Sequence, residues 1–149
     1  MQTFLPYRSF GYSARALDRA RLGKQRVETL QIMKALVDGV GWIHHPATKM
    51  WAGYENSLMS YQYAICGEWV RRGYADNVCL DKTLILFRSL PRNRRQPLEP
   101  HWLGKKVVHS SHRANLLRKD PEWYGKYNWP ERPREGYFWP KPRDEYEAR

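Results

Sequence analysis

The sequence predicts a small, mostly α-helical single domain with long loops, and three observations carry that expectation. Apolar residues recur every three or four positions over long stretches. The ambiguous apolar run VCLDKTLILFRSL, residues 78 to 90, lacks the strict alternation of a half-buried strand, so helix is favoured over a buried strand. The chain's 149 residues suffice for one real core, and no internal repeat divides them.

Taken in order, TFLPY reads as an extended start that passes through Ser13 into a first helix over residues 14 to 38. Asp38-Gly39 and Gly41 end it. The loop GWIHHPAT follows, with Pro46 as a breaker. A second helix is expected from Thr48 to Arg72, because Met50, Tyr54, Leu58, Tyr61, Ile65 and Trp69 form one apolar stripe; Gly73 closes it. PRNRRQPLEP is a proline-bounded basic loop, and residues 106 to 119 form a shorter helix. From Asp120 onward the chain, rich in Pro, aromatics and charge, reads as an irregular surface segment with a disordered end. The domain is drawn at 1–128, with 129–149 as a C-terminal extension.

Lys and Arg outnumber Asp and Glu by 26 to 15, a formal charge of +11 spread along the chain. That balance suits a polyanion: nucleic acid first, an acidic membrane surface second. No run approaches the roughly 18 apolar residues of a membrane span, and MQTFLPYRSF lacks the form of a signal peptide. The expectation is therefore a cytoplasmic protein without a membrane partner. Cys66 and Cys79 sit in no metal-ligand spacing and are expected to be reduced and packed. Seven Trp and ten Tyr interleaved with basic residues suit base stacking as well as core packing.

The first helix carries the most pointed pattern. Arg21, Lys24, Glu28 and Gln31 fall within one arc of about 80°, roughly opposite Leu22, Leu30, Met33 and Leu36. Lys24 and Glu28 are spaced as a surface salt bridge, so Glu28 reads either as a charge balancer or as the acid of an anion-handling site. Arg19 and Arg26 lean toward the apolar side and must find an anionic partner there, whether phosphate or carboxylate. The pairs His44-His45 and His109/His112 lack the further ligands a metal site needs, which leaves phosphate contact, capping or packing. PRNRR, with Arg92, Arg94 and Arg95, and WYGKYNW, with Trp123, Tyr124 and Lys126, have the composition of nucleic-acid contacts. For Trp123 and Tyr124 core packing is an equal alternative.

These segments together resemble a family. LDRARLGKQRVETLQIMKAL, WIHHPATKMW, EWVRRGY and HRANLLRKDPEWYGKY occur in the order and approximate spacing of the phage pyrimidine-dimer DNA glycosylases of the endonuclease V type. The resemblance covers residues 1 to 128, and its most specific pieces are LDRARL followed by Glu28 and the late WYGKY. It implies a compact, mostly helical fold and a bifunctional glycosylase with abasic-site lyase activity on lesion-containing duplex DNA. The family's nucleophile is the chain's free α-amine, which attacks C1′, displaces the base and forms an imine; β-elimination then cuts the strand. Glu28 matches the essential glutamate of the first helix, and nearby basic residues hold a kinked duplex.

The family usually exposes a small residue by removing Met, whereas residue 2 here is Gln2, which leaves three alternatives for the nucleophile: the α-amine of Met1, Lys24, or none. Arg19, Arg21, Lys24 and Arg26 are expected on phosphates, with His45 and Arg113 lining the DNA cleft. No metal or organic cofactor is implied, and a monomer is expected. Two other readings stay open: a non-catalytic nucleic-acid-binding protein on this fold, and a monofunctional glycosylase that uses water.

Overall fold

The computed structural model describes residues 1–143. Among them are seven α-helices and no strand: α1 (Phe10–Ala16), α2 (Arg19–Asp38), α3 (Pro46–Trp51), α4 (Glu55–Arg71), α5 (Cys79–Arg88), α6 (Lys106–Lys119) and α7 (Pro121–Gly125). No described helix is long and apolar enough to cross a membrane. The expected disordered end, residues 144–149, lies outside the described residues.

The two long helices expected from periodicity are each broken in two. The first divides at Leu17-Asp18, where the backbone is extended and the Asp18 side chain accepts from the Arg21 N–H as N-cap of α2. Ser9, not Ser13, caps α1; the Ser13 hydroxyl is buried and donates to the Tyr7 carbonyl at 3.0 Å. The second divides at Gly53, whose φ of +84° a side chain would resist. Pro46 starts a helix instead of breaking one: it stands in the first turn of α3, behind His45 as N-cap. The expected stripe nevertheless faces inward across that break, with Met50, Tyr54, Leu58, Tyr61 and Ile65 buried. The run at 78 to 90 is helix α5, and α6 keeps the expected bounds of 106 and 119. Asp120 caps a short helix, α7, in a stretch expected to be irregular.

α2 packs on α3, α4 and α5, α4 also packs on α1 and α5, and α6 packs on α7. Trp51, Trp102, Tyr61 and Tyr124 are the largest fully buried side chains in the shared core. At the end of α4, Glu68 receives Arg71 at 2.6 Å and Arg72 at 2.8 Å. Arg72 also donates to the carbonyls of Arg15 and Leu17, which satisfies the open end of α1. Cys66 is buried and Cys79 half-buried, both as free thiols.

The feature that positions the site is the burial of the chain's first residues. Gln2, Thr3, Phe4 and Leu5 are buried, although terminal residues ordinarily fray. The Phe4 N–H donates to Gln25 Oε1 at 3.0 Å, and the Leu5 N–H to His112 Nδ1 at 2.8 Å. Trp51 Nε1 donates to Thr3 Oγ1 at 2.9 Å, and the Tyr61 hydroxyl to the Phe4 carbonyl at 2.9 Å. The segment is thus threaded between α2, α3, α4 and α6.

Candidate active site

Gln25, on the buried face of α2, is the hub that joins this segment to Glu28. Its Oε1 accepts from the Phe4 N–H and from the Tyr61 hydroxyl. Its Nε2 donates to the Gln2 carbonyl at 2.7 Å and to Glu28 Oε2 at 3.0 Å. The backbone N–H of Gln2 points at the same Glu28 oxygen from 3.5 Å. Glu28, half-buried, is therefore held by neutral amides. No ion pair within 4.0 Å joins it to Lys24 among the described residues, so the spacing does not produce the salt bridge it permits.

Around this carboxylate opens a cleft of about 360 Å³, lined by Met1, Gln2, Phe4, Arg21, Lys24, Glu28, Lys119 and Tyr137 among others. It gathers the expected residues Met1, Arg21, Lys24 and Glu28. Lys119, at the end of α6, and Tyr137, from the C-terminal segment, are additions. Burial first, then Arg118, Arg21 and Lys24, lower the Lys119 pKa below its usual value. Neither residue has a sequence signal of its own, because only the fold brings residues 119 and 137 beside residue 28. Gln25 carried no sequence signal, because it lies between Lys24 and Arg26 in a polar stretch of the helix.

His45 is not among the residues that line the cleft and caps α3. Its Nδ1 accepts from the Ala47 N–H at 3.0 Å, and its ring lies between those of Trp42 and Trp139. Burial, and then the positive N-terminus of the chain, lower its pKa. His109 and His112 are buried packing residues. His109 Nε2 accepts from the Gly104 N–H, so its Nδ1 carries the proton donated to the Leu5 carbonyl. Burial, ahead of His109 and Arg113, lowers the His112 pKa to about 3, so this ring is neutral as it accepts from Leu5. Among the described residues no group of three His, Cys, Asp or Glu side chains could hold a metal ion.

Several expected DNA contacts are committed elsewhere. Arg26 finds its anion in Asp76 at 2.6 Å, with its guanidinium 4.4 Å from the Trp69 ring centre. Arg19 stays exposed, 5.0 Å from the Tyr74 ring. Arg113 does not line the cleft: it forks onto Glu131 at 2.7 Å and donates to the Pro6 carbonyl, tying α6 to both chain ends. Tyr124 is core and not a stacking surface: it is fully buried, with its hydroxyl on Asp18. Trp123 is half-buried and donates to the Ala16 carbonyl, while exposed Lys126 lies 3.5 Å from its ring centre. In the basic loop Arg92 is exposed, Arg95 is half-buried, and Arg94 reaches the buried Glu55 at 2.7 Å. Arg94 also touches the Leu36 carbonyl at the far end of α2, about 12 Å along the axis from Glu28.

An amine-bearing terminus, a carboxylate held by amides and three cationic side chains around one cleft suit nucleophilic chemistry on a polyanion. No curated protein and no solved structure matches the chain. The family model for pyrimidine dimer DNA glycosylase matches residues 1–81, more than half of the 149, and that stretch contains Met1, Lys24, Gln25 and Glu28. The chain belongs to the pyrimidine dimer DNA glycosylase family.

Proposed function

We propose that the protein is a DNA glycosylase with abasic-site lyase activity on pyrimidine-dimer damage in duplex DNA, using an α-amine as nucleophile and Glu28 as its acid. The carrying observation is the anchoring of residues 2–5 in the core, which brings the chain's beginning to Glu28 when a terminus would ordinarily be mobile.

The chemistry follows from that placement. An α-amine is less basic than a lysine amine by more than about 2 pKa units, so more of it is free to attack at neutral pH. Its nitrogen bonds to C1′ as the base departs. Glu28 balances the positive charge developing on the sugar and takes the amine's surplus proton. Arg21, Lys24 and Lys119 supply cations for the flanking phosphates. The C1′–O4′ bond then breaks, with O4′ taking up a proton, to give the imine; loss of the proton at C2′ breaks the 3′ C–O bond and cuts the strand. The backbone nitrogen 3.5 Å from Glu28 belongs to Gln2, so the α-amine of Met1 stands one residue further out. Removal of Met1 would expose Gln2, whose α-amine tends to cyclise onto its own carboxamide and would then be lost as a nucleophile.

Borohydride trapping on abasic duplex DNA tests this reading, with intact mass measured in parallel to define the first residue. The expected result is a covalent adduct on the α-amine, lost on N-terminal acetylation and retained in Lys24→Ala. Trapping that survives acetylation and disappears in Lys24→Ala would transfer the role to Lys24. Base release without any trapped species would place the protein with water-using glycosylases. DNA binding with neither activity would leave a non-catalytic binding protein.

A further inference from the structure

The turn between α2 and α3 holds three apolar side chains in solvent. Trp42 is 50 % exposed, and Val40 and Ile43 beside it are exposed as well. A single exposed aliphatic residue is ordinary, but an indole with two aliphatic neighbours at a loop tip is a patch that a partner covers. The tip is also built to hold its shape. Gly39 and Gly41 take φ of +67° and +77°, which turn the chain sharply out of α2. The Ile43 N–H donates to the Gly41 carbonyl at 2.8 Å, and the His45 N–H to the Trp42 carbonyl at 3.2 Å. His45, fixed as the N-cap of α3, sets its ring edge-on to the Trp42 indole at 5.8 Å.

The indole is the outer end of an aromatic row that begins in the Glu28 cleft. Tyr137 lines the cleft, Trp139 lies 5.6 Å from Tyr137, and His45 lies 5.7 Å from Trp139. Trp42 completes the row in solvent. Burial, and then the positive N-terminus, lower the His45 pKa, so the row passes within electrostatic reach of the α-amine. Each strand of a duplex advances about 3.4 Å per nucleotide, so a row of such steps ends within a few nucleotides of a sugar held in the cleft. Residues 39–54 and 136–143 carry Lys49, Lys141 and Arg143 and no acid. Aromatic side chains framed by cations alone suit stacking on bases beside a phosphate backbone.

We propose that Trp42 is a stacking finger that enters the base stack of DNA beside the lesion and fills the gap opened there. The inference rests on reading the Glu28 cleft as a DNA-lesion site, and it adds a contact to bases where that reading supplies contacts to sugar and phosphate. An indole face laid against a base is favourable for any base, because every base has a π-face. In intact duplex the neighbouring bases must first be unstacked, and that cost offsets the gain. Where damage has already weakened the stack the cost is smaller, so the finger favours damaged DNA over intact DNA.

Binding to a duplex that carries one tetrahydrofuran abasic analogue, compared with the same duplex undamaged, tests the finger. The analogue lacks the C1′ hydroxyl, so no imine forms and the assay reads binding alone. The parent should prefer the analogue duplex. Trp42→Ala should bind that duplex about 10-fold more weakly, keep its affinity for undamaged duplex within about 2-fold, and leave the salt slope unchanged. Trp42→Phe keeps an aromatic face and should retain most of the preference. Equal loss of affinity for both duplexes, or a preference that survives in Trp42→Ala, would overturn the finger and leave the glycosylase reading intact. A preference that depends on Trp42 in a parent that releases no base from ultraviolet-irradiated duplex would overturn the glycosylase reading and uphold the finger.

Discussion

Glu28 on α2 and Glu68 on α4 are both carboxylates at the polar margin of a long helix, and they are held in opposite ways. Glu68 sits in a clasp of Arg71 and Arg72, and those arginines, Arg71 foremost, hold its carboxyl below the usual range. Glu55 with Arg94 and Glu131 with Arg113 repeat the arrangement. Glu28 instead meets amide N–H groups from Gln25 and Gln2 and faces an open cleft. The difference teaches how to sort acids in a strongly basic chain. A carboxylate consumed by guanidinium groups ties helices together, whereas one left to neutral donors beside open space is available for chemistry.

The largest expected effect breaks that comparison on the catalytic side. Glu28→Gln keeps an acceptor for the Gln25 amide and a comparable helix propensity. Stability should change by less than about 0.5 kcal/mol. Base release should fall at least about 100-fold, with DNA affinity retained. Parallel melting curves and release assays check this. A variant that unfolds, or one that stays active, would return Glu28 to the role of charge balancer.

Glu68→Gln should do the converse. It strips the charge from a buried clasp and leaves Arg72 without its anion, a change expected to cost about 3 kcal/mol of stability. Activity per folded molecule should be unchanged. Chemical denaturation gives the first quantity, and active-site titration by borohydride trapping gives the second. Loss of activity per folded molecule would mean that the two regions are coupled.

The sorting was only partly legible in the sequence. The inward stripe of α4, the bounds of α6 and the arc of Arg21, Lys24 and Glu28 follow from periodicity, which is local. The breaks at Asp18 and Gly53 are invisible to periodicity because the apolar pattern runs through both; the cap at Asp18 and the backbone conformation at Gly53 interrupt the helices there. Arg26 was correctly predicted to need an anion, yet a side chain fifty residues away supplies it. Arg113 was expected at the DNA cleft and Tyr124 either in the core or on DNA; long-range partners that no local pattern reveals, Glu131 and Asp18, hold them. Tyr137 and Lys119 reach the cleft through the fold alone.

A smaller effect sharpens the contrast between the cleft and the basic loop. If both touch DNA, binding should weaken steeply with salt. Replacing Arg92 and Arg95 with Ala should then flatten the slope of log affinity against log salt by about 1 for each phosphate no longer neutralised. Arg94 is best left in place, because its removal would strand the buried Glu55. Titrations at several salt concentrations measure the slope. An unchanged slope would confine DNA binding to the cleft end of α2.

The smallest expected effect uses acid to pull the two regions apart. The N-terminal segment that forms the cleft floor is gripped by His109 and His112, whose pKa values burial lowers from 6.5, that of His112 to about 3. An unfolded chain takes up protons on both rings as pH falls below 6.5, while the native state resists. Their contribution to stability is therefore present above about pH 6.5 and is lost as pH falls toward 3. Glu68 and Glu131, with carboxyls depressed by arginine from 4.5, contribute above that value and lose it only as pH falls further. Between pH 6.5 and 5 the histidine grip should thus weaken alone. Protection of the Phe4 and Leu5 amides relative to their intrinsic exchange should fall over that interval while the end of α4 stays protected. His112→Asn keeps an acceptor near the position of Nδ1 but cannot titrate, so it should remove much of this pH dependence. Uniform loss of protection at both ends of the molecule would instead show that the N-terminal segment and the Glu68 clasp unfold as one unit.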